Sequence, residues 1–192
     1  MLKLMAELLV TSRENYSMNG KDFINSVAHG KSDIIQTLLD VLAEKGSRYC
    51  LIGGLAVNAY VDPVVSLDLD IVVSVEDVEA VCAMLVKGGL KVERFEHSVN
   101  VSSPDSDLRI QLQTDYRYQE FLVNARVSNV LGYKMSVASL EDVLRGKVWA
   151  YSDKDRRRSK RQKDLADILR IMETYPELEK GVPESIRKKL NE

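Results

Sequence analysis

The sequence has no apolar run of 18 residues, so no membrane-spanning helix is expected. It has only two cysteines, Cys50 and Cys82, both in apolar surroundings, which excludes a disulfide scaffold and reads as buried free thiols in a reducing compartment. With two histidines besides, a structural zinc site is excluded too. Charge of neither sign dominates: 27 basic against 29 acidic residues leave −2, which argues against a surface basic all over and leaves room for a local patch. Prolines (four) and glycines (ten) are sparse, and there are no repeats or low-complexity segments. What the chain does have is apolar material, 45% of 192 residues, enough for one large domain or a domain with a helical appendage. The apolar start, Met1 to Val10, is short and carries Glu7; it reads as a helix packed on the body rather than a signal peptide, and the protein is expected to be cytoplasmic.

Residues 11–32 are polar and read as a connector. From Ser32, taken as the N-cap, Ile34, Ile35, Leu38, Leu39 and Leu42 recur at helical spacing up to Lys45-Gly46. Arg48–Ile52 is an apolar strand that runs into Gly53-Gly54 and a short helix, which Asp62-Pro63 breaks. Leu67–Val75 is a strand and Glu76–Lys87 a helix; further strands are expected at 90–95, 97–101 and 108–113. After Ser139-Leu140-Glu141-Asp142, a capping-box pattern, the chain turns helical, with elements from Leu140, over 158–174 and over 183–190. The expected division is 1–31 (N-terminal helix and connector), 32–137 (α/β domain with a mixed central sheet flanked by helices, of the α+β kind) and 138–192 (a helical region packed on it).

Asp-x-Asp occurs three times, at 68/70, 105/107 and 153/155. Asp105 lies in a Ser/Pro turn and Asp153 in a run of charges; only Asp68 and Asp70 sit inside an apolar strand. Residues i and i+2 share a face, so Leu67, Leu69 and Ile71 point one way and both acids the other. Two carboxylates held side by side are costly unless paired, and Mg²⁺, which takes one or two carboxylates plus phosphate oxygens and water, would remove that cost. Gly53-Gly54, which lies between strand and helix, lets backbone N–H groups approach phosphate. A glycine bend followed 14 residues later by strand-borne acids is far more specific than either motif alone.

These features resemble the nucleotidyltransferase superfamily with the DNA polymerase β-like fold, and within it the AbiEii-like toxins and their minimal relatives. The likeness is carried by Leu51–Asn58, Ser66–Val73, Val137–Lys147 and Arg161–Ile168, and it spans about 32–175. It implies Mg²⁺ or Mn²⁺ on Asp68 and Asp70, nucleotide phosphates on Gly53, Gly54 and Ser66, Lys147 reaching the triphosphate, and Asp164 closing the far side of the site. It also implies an NTP as donor, an RNA, protein or small-molecule hydroxyl as acceptor, and an antitoxin as a candidate partner. Two positions depart from the pattern. Val64 stands where an arginine is usual, and Gln111 stands where a third carboxylate is usual and cannot act as a base at neutral pH; Asp107 and Asp115 are the alternatives. The alternative function is therefore a degenerate member that binds without chemistry. Lys154–Lys163, with seven basic residues in ten, is a candidate contact for phosphate or RNA, with Tyr116, Tyr118 and Tyr133 as candidate stacking residues.

Overall fold

The computed structural model describes residues 20–190; the expected helix over 1–10 lies outside the described residues. The order is α1 (Gly20–Val27), α2 (Ile34–Lys45), β1 (Tyr49–Ile52), α3 (Gly53–Val57), β2 (Asp68–Val73), α4 (Val78–Lys87), β3 (Lys91–Arg94), β4 (Ser98–Ser103), β5 (Ser106–Gln113), a 3₁₀ helix (Tyr116–Leu122), β6 (Arg126–Val130), β7 (Tyr133–Val137), α5 (Leu140–Ser152), α6 (Arg158–Thr174), a second 3₁₀ helix (Pro176–Gly181) and α7 (Glu184–Leu190). The seven strands form one mixed sheet, ordered β3-β4-β5-β2-β1-β7-β6.

Three expectations need correction. Residues 20–27, read as connector, are helical, with Ile24 buried. The α2 cap is Asp33, not Ser32: its carboxylate accepts from the Gln36 N–H at 2.9 Å. Both residues are competent caps, and the one whose oxygen meets the N–H three residues on closes the helix. The hairpin β6–β7 carries no expected strand; its edge strand exposes Arg126 and Val127, so the alternation that marks a half-buried strand is missing. The Ser139 cap is as expected, with its Oγ accepting from the Asp142 N–H at 3.2 Å. Gly46, in the left-handed region at φ 70°, ends α2.

The sheet centre is built from Cys50, Leu51, Ile71, Val72 and Val73, all sealed from solvent. Burial pushes the Cys50 thiol up, with Asp142 adding to it, to about 12, so Cys50 is an inert core residue. Both cysteines are free and buried. Beyond the sheet, Tyr118, Phe121 and Trp149 pack edge-to-face and stacked at 5.2–5.6 Å between centroids, joining the first 3₁₀ helix to α5. Among the described residues no helix is long and apolar enough to cross a membrane.

Candidate functional site

Register assembles the site. β1 and β2 run antiparallel with Ile52 opposite Asp70, so the residue after Ile52 lands against that carboxylate. That residue is Gly53, at φ 72°, and a Cβ there would overlap the Asp70 carboxyl group. Glycine is favoured twice over, by a backbone that other residues adopt only under strain and by space that a Cβ would take from the Asp70 side chain. On the other side β5 runs parallel to β2 and sets Arg109 beside Asp68 and Gln111 beside Asp70. Gly54, the next residue, faces Ser66 and Asp167 at van der Waals distance. Ser66 Oγ accepts from the Asp68 N–H at 3.3 Å, which orients the approach to β2.

The two acids of β2 are treated differently. Asp68 Oδ1 stands 2.7 Å from an Arg109 guanidinium nitrogen, and its Oδ2 stands 2.7 Å from Lys160 Nζ. Burial alone would push its carboxyl up, but Lys160, Arg109 and Lys163 together hold it below the usual carboxylate range. Asp70 has no side-chain hydrogen bond or ion pair among the described residues. Burial pushes its carboxyl up, Lys147 pulls against this, and the Asp68 charge adds to the rise. The half-buried Asp70 opens onto a cavity of about 110 Å³ that is also lined by Gly53, Gln111, Lys147, Arg156 and Asp164.

Lys147, one residue after Gly146 on α5, is buried, not a surface lysine. Its Nζ donates to Asp164 Oδ1 at 3.1 Å and stands 2.7 Å from Asp167 Oδ2. Burial would lower its pKa, but Asp167 and Asp164 overcome this and raise it, so the ammonium is fixed as a cation. Asp164 and Asp167 lie one turn apart on α6, and their other oxygens are taken by Arg156 and Arg170 at 2.7 and 2.8 Å. Lys147, Asp164 and Asp68 also line a second, smaller cavity with Gly54, Val64, Ser66 and Lys160. The residues expected at the site therefore do meet, with Lys147 engaged to two carboxylates rather than free.

The basic run divides by function. Arg156 reaches Asp164, Lys160 reaches Asp68 and Arg161 donates to the Tyr151 carbonyl, whereas Arg157 and Arg158 have no partner among the described residues and are exposed. An open cleft of about 640 Å³ joins Asp68, Asp70, Arg109, Gln111, Arg157 and Lys160 to Phe95 and Asn100. The alternatives for a third acid fall away: Asp107 pairs with His29 at 2.8 Å and Asp115 with Arg117 at 2.7 Å, and neither lines these cavities. Tyr133 is buried away from these cavities and Tyr116 faces a different hollow; Tyr118, largely buried, lines the Asp70 cavity and is the one of the three that reaches it.

Sequence reading missed Arg170. It lines the second cavity beside Val64, the position where an arginine was expected, and it donates to Asp167, to Asn58 Oδ1 at 3.4 Å and to the Asp62 carbonyl. Asn58 in turn holds the backbone of Val64 through both ends of its amide, at 2.8 and 3.0 Å. A guanidinium thus returns to this corner from α6, 106 residues downstream of Val64.

Asp68 and Asp70 are the residues that would hold a hard divalent cation, Asp68 once a cation leaves one of its two paired oxygens. Asp70 is unpaired and faces a side-chain-free bend. Among the described residues no group of three or more His, Cys, Asp or Glu converges, so phosphate oxygens and water would complete the shell, as Mg²⁺ prefers.

No protein-family model and no curated protein matches the sequence. Solved structures do. ANT(2'')-Ia in complex with adenylyl-2''-tobramycin is 15% identical, with 82% of this chain and 95% of that one covered at a TM-score of 0.55. The lincosamide antibiotic adenylyltransferase LnuA, lincomycin-bound, is 14% identical over 74% and 98% at 0.52. An antigenic nucleotidyltransferase-like protein from Paracoccidioides brasiliensis is 20% identical over 73% and 74% at 0.51. The chain has the nucleotidyltransferase fold, a mixed sheet flanked by helices.

Proposed function

We propose that this chain is a Mg²⁺-dependent nucleotidyltransferase that moves an NMP from an NTP to a hydroxyl acceptor. The carrying observation is Asp70: an unpaired carboxylate beside a glycine that any side chain would replace only under strain and by displacing that carboxylate, with the Lys147 cation as the strongest charge acting on it. A half-buried acid without a direct partner costs stability, and in a site of this fold ligand binding is the function that offsets it. A divalent cation on Asp68 and Asp70 would supply charge neutralisation for the triphosphate. Gly53 and Gly54 keep the backbone open to phosphate, and Ser66 orders the turn into β2. Lys147 with Asp164 and Asp167 forms the rigid wall opposite. The acceptor oxygen attacks the α-phosphorus, the α–β bridging P–O bond breaks, and pyrophosphate leaves. Gln111, next to Asp70, cannot take the acceptor proton, which passes to water.

The finer reading, a toxin-like enzyme with an RNA or protein acceptor on the 154–163 run and an antitoxin partner, rests on the resemblance to AbiEii-like proteins and on the unpartnered Arg157 and Arg158. The second reading, a member that binds nucleotide without turnover, is favoured by Gln111 and by the double pairing of Asp68. Incubation with labelled NTPs, Mg²⁺ and total RNA separates them. Transfer that is lost in Asp70→Asn supports the enzyme; calorimetric NTP binding with no transfer to RNA, protein or small hydroxylated acceptors supports the binder.

A further inference from the structure

We propose that Lys160 couples nucleotide binding to cation binding: its ammonium holds Asp68 in the free protein and moves to the triphosphate when nucleotide arrives, releasing Asp68 for the cation. This rests on the reading that the NTP and the cation enter at Asp68 and Asp70. Lys160 is placed for it. Its Nζ is 2.7 Å from Asp68 Oδ2, its side chain is 31% exposed, and it lines both the inner cavity with Gly54 and Asp164 and the open cleft with Arg109 and Gln111. Lys147 is not so placed: it is 9% exposed and bound to two acids whose remaining oxygens are also taken. A partly exposed pair exchanges at less cost than a buried one, whose separation strands a charge.

The Lys160–Asp68 pair has a consequence for binding order. With Lys160 and Arg109 on its two oxygens, Asp68 is neutralised and offers a cation no open position, so Asp70 alone is poor bait for Mg²⁺. A polyanionic triphosphate draws the flexible ammonium off, and the freed carboxylate then faces the cation that the phosphates share. Each ligand therefore favours the other, and linkage makes the effect reciprocal.

Manganese binding followed by electron paramagnetic resonance tests this without relying on activity. The full chain is titrated with Mn²⁺ in the absence of nucleotide, as wild type, Lys160→Met, Lys160→Arg and Lys160→Met/Asp70→Asn. A non-hydrolysable α,β-methylene ATP analogue is then titrated without metal. Lys160→Met should bind Mn²⁺ about tenfold tighter than wild type and the analogue about tenfold more weakly, within the usual range of coupling between sites. Lys160→Arg should stay near wild type in both, and the double variant should lose the Mn²⁺ gain. Equal Mn²⁺ affinity in wild type and Lys160→Met, with binding still dependent on Asp70, overturns the coupling and leaves the cation site standing. Absence of both Mn²⁺ and analogue binding in every variant overturns the underlying reading as well.

Discussion

Two pairs of aspartates face each other across the site, and they are solved in opposite ways. Asp164 and Asp167, one turn apart on α6, share the Lys147 ammonium, and each has an arginine on its other oxygen. Asp68 and Asp70, two residues apart on β2, share no ion-pair partner: Asp68 pairs with the exposed Arg109 and the partly exposed Lys160, and Asp70 pairs with none among the described residues. The helix pair is closed electrostatically. The strand pair is open: the cations that act on Asp70, led by Lys147, do so without direct pairing. Position in a cavity does not separate the two pairs, because all four line the same space. Their counter-ions do.

Removing the shared cation should have the largest effect. Lys147→Met leaves the buried Asp164 and the part-buried Asp167 with one arginine each, and breaking a buried pair from one side costs about 3–5 kcal/mol. Urea unfolding should show that loss, and a variant as stable as wild type would show that the helix pair is not closed. Asp70→Asn should act the other way, with transfer falling about 10²–10³-fold, the scale for deleting one preorganised electrostatic group, while the fold persists. A labelled-NTP assay beside a melting curve checks both halves. Gly53→Ala comes next. It forces a side chain into the left-handed region and onto the Asp70 carboxylate, at a backbone cost of about 1–3 kcal/mol. Nucleotide binding by calorimetry should weaken in this variant more than in Gly46→Ala, where a Cβ meets nothing.

How much of this contrast can be read from the sequence follows from the range of each interaction. The open pair is local: period-two alternation in 67–73 puts both acids on one face, and the glycine bend marks where phosphate backbone contact is sterically free. For Gln111, alternation tells only that it points away from the core-facing Ile110 and Leu112; its place beside Asp70 is implied by the resemblance alone, because a slip of two residues would keep the same face buried. The closed pair is not legible. Lys147 sits at the border of an apolar helical stripe, where a lysine stem packs equally well with its head in water or in a buried ion pair. Lys160 meets Asp68 across 92 residues and Arg170 meets Asn58 across 112. Nothing in the local pattern of a basic run says which of its seven cations is engaged. The β6–β7 hairpin escapes for a different reason: its turn is Leu131-Gly132, both at positive φ and held by Asn129, without the Asn-Gly signature of a tight turn.

The finest test of the contrast is the sign of a pH dependence. The Asp70 carboxyl titrates above its ordinary value because burial outweighs Lys147, so the folded chain holds that proton more tightly than the unfolded chain. Stability must then fall as pH rises from the ordinary carboxylate range through the raised folded value, and the cost stays constant above it. Asp70→Asn removes the cost, so its melting temperature should exceed wild type at neutral pH and converge with it in acid. The Asp68 carboxyl titrates below its ordinary value, because Lys160 and Arg109 outweigh burial. Its contribution is present above the ordinary range and lost as pH falls through the lowered folded value, so Asp68→Asn should melt below wild type at neutral pH and converge with it in stronger acid. Both of its partners are partly exposed, so this second shift should be the smaller. Two asparagine substitutions two residues apart on one strand should thus move stability in opposite directions, and shifts of the same sign would mean that the two acids are not electrostatically distinct.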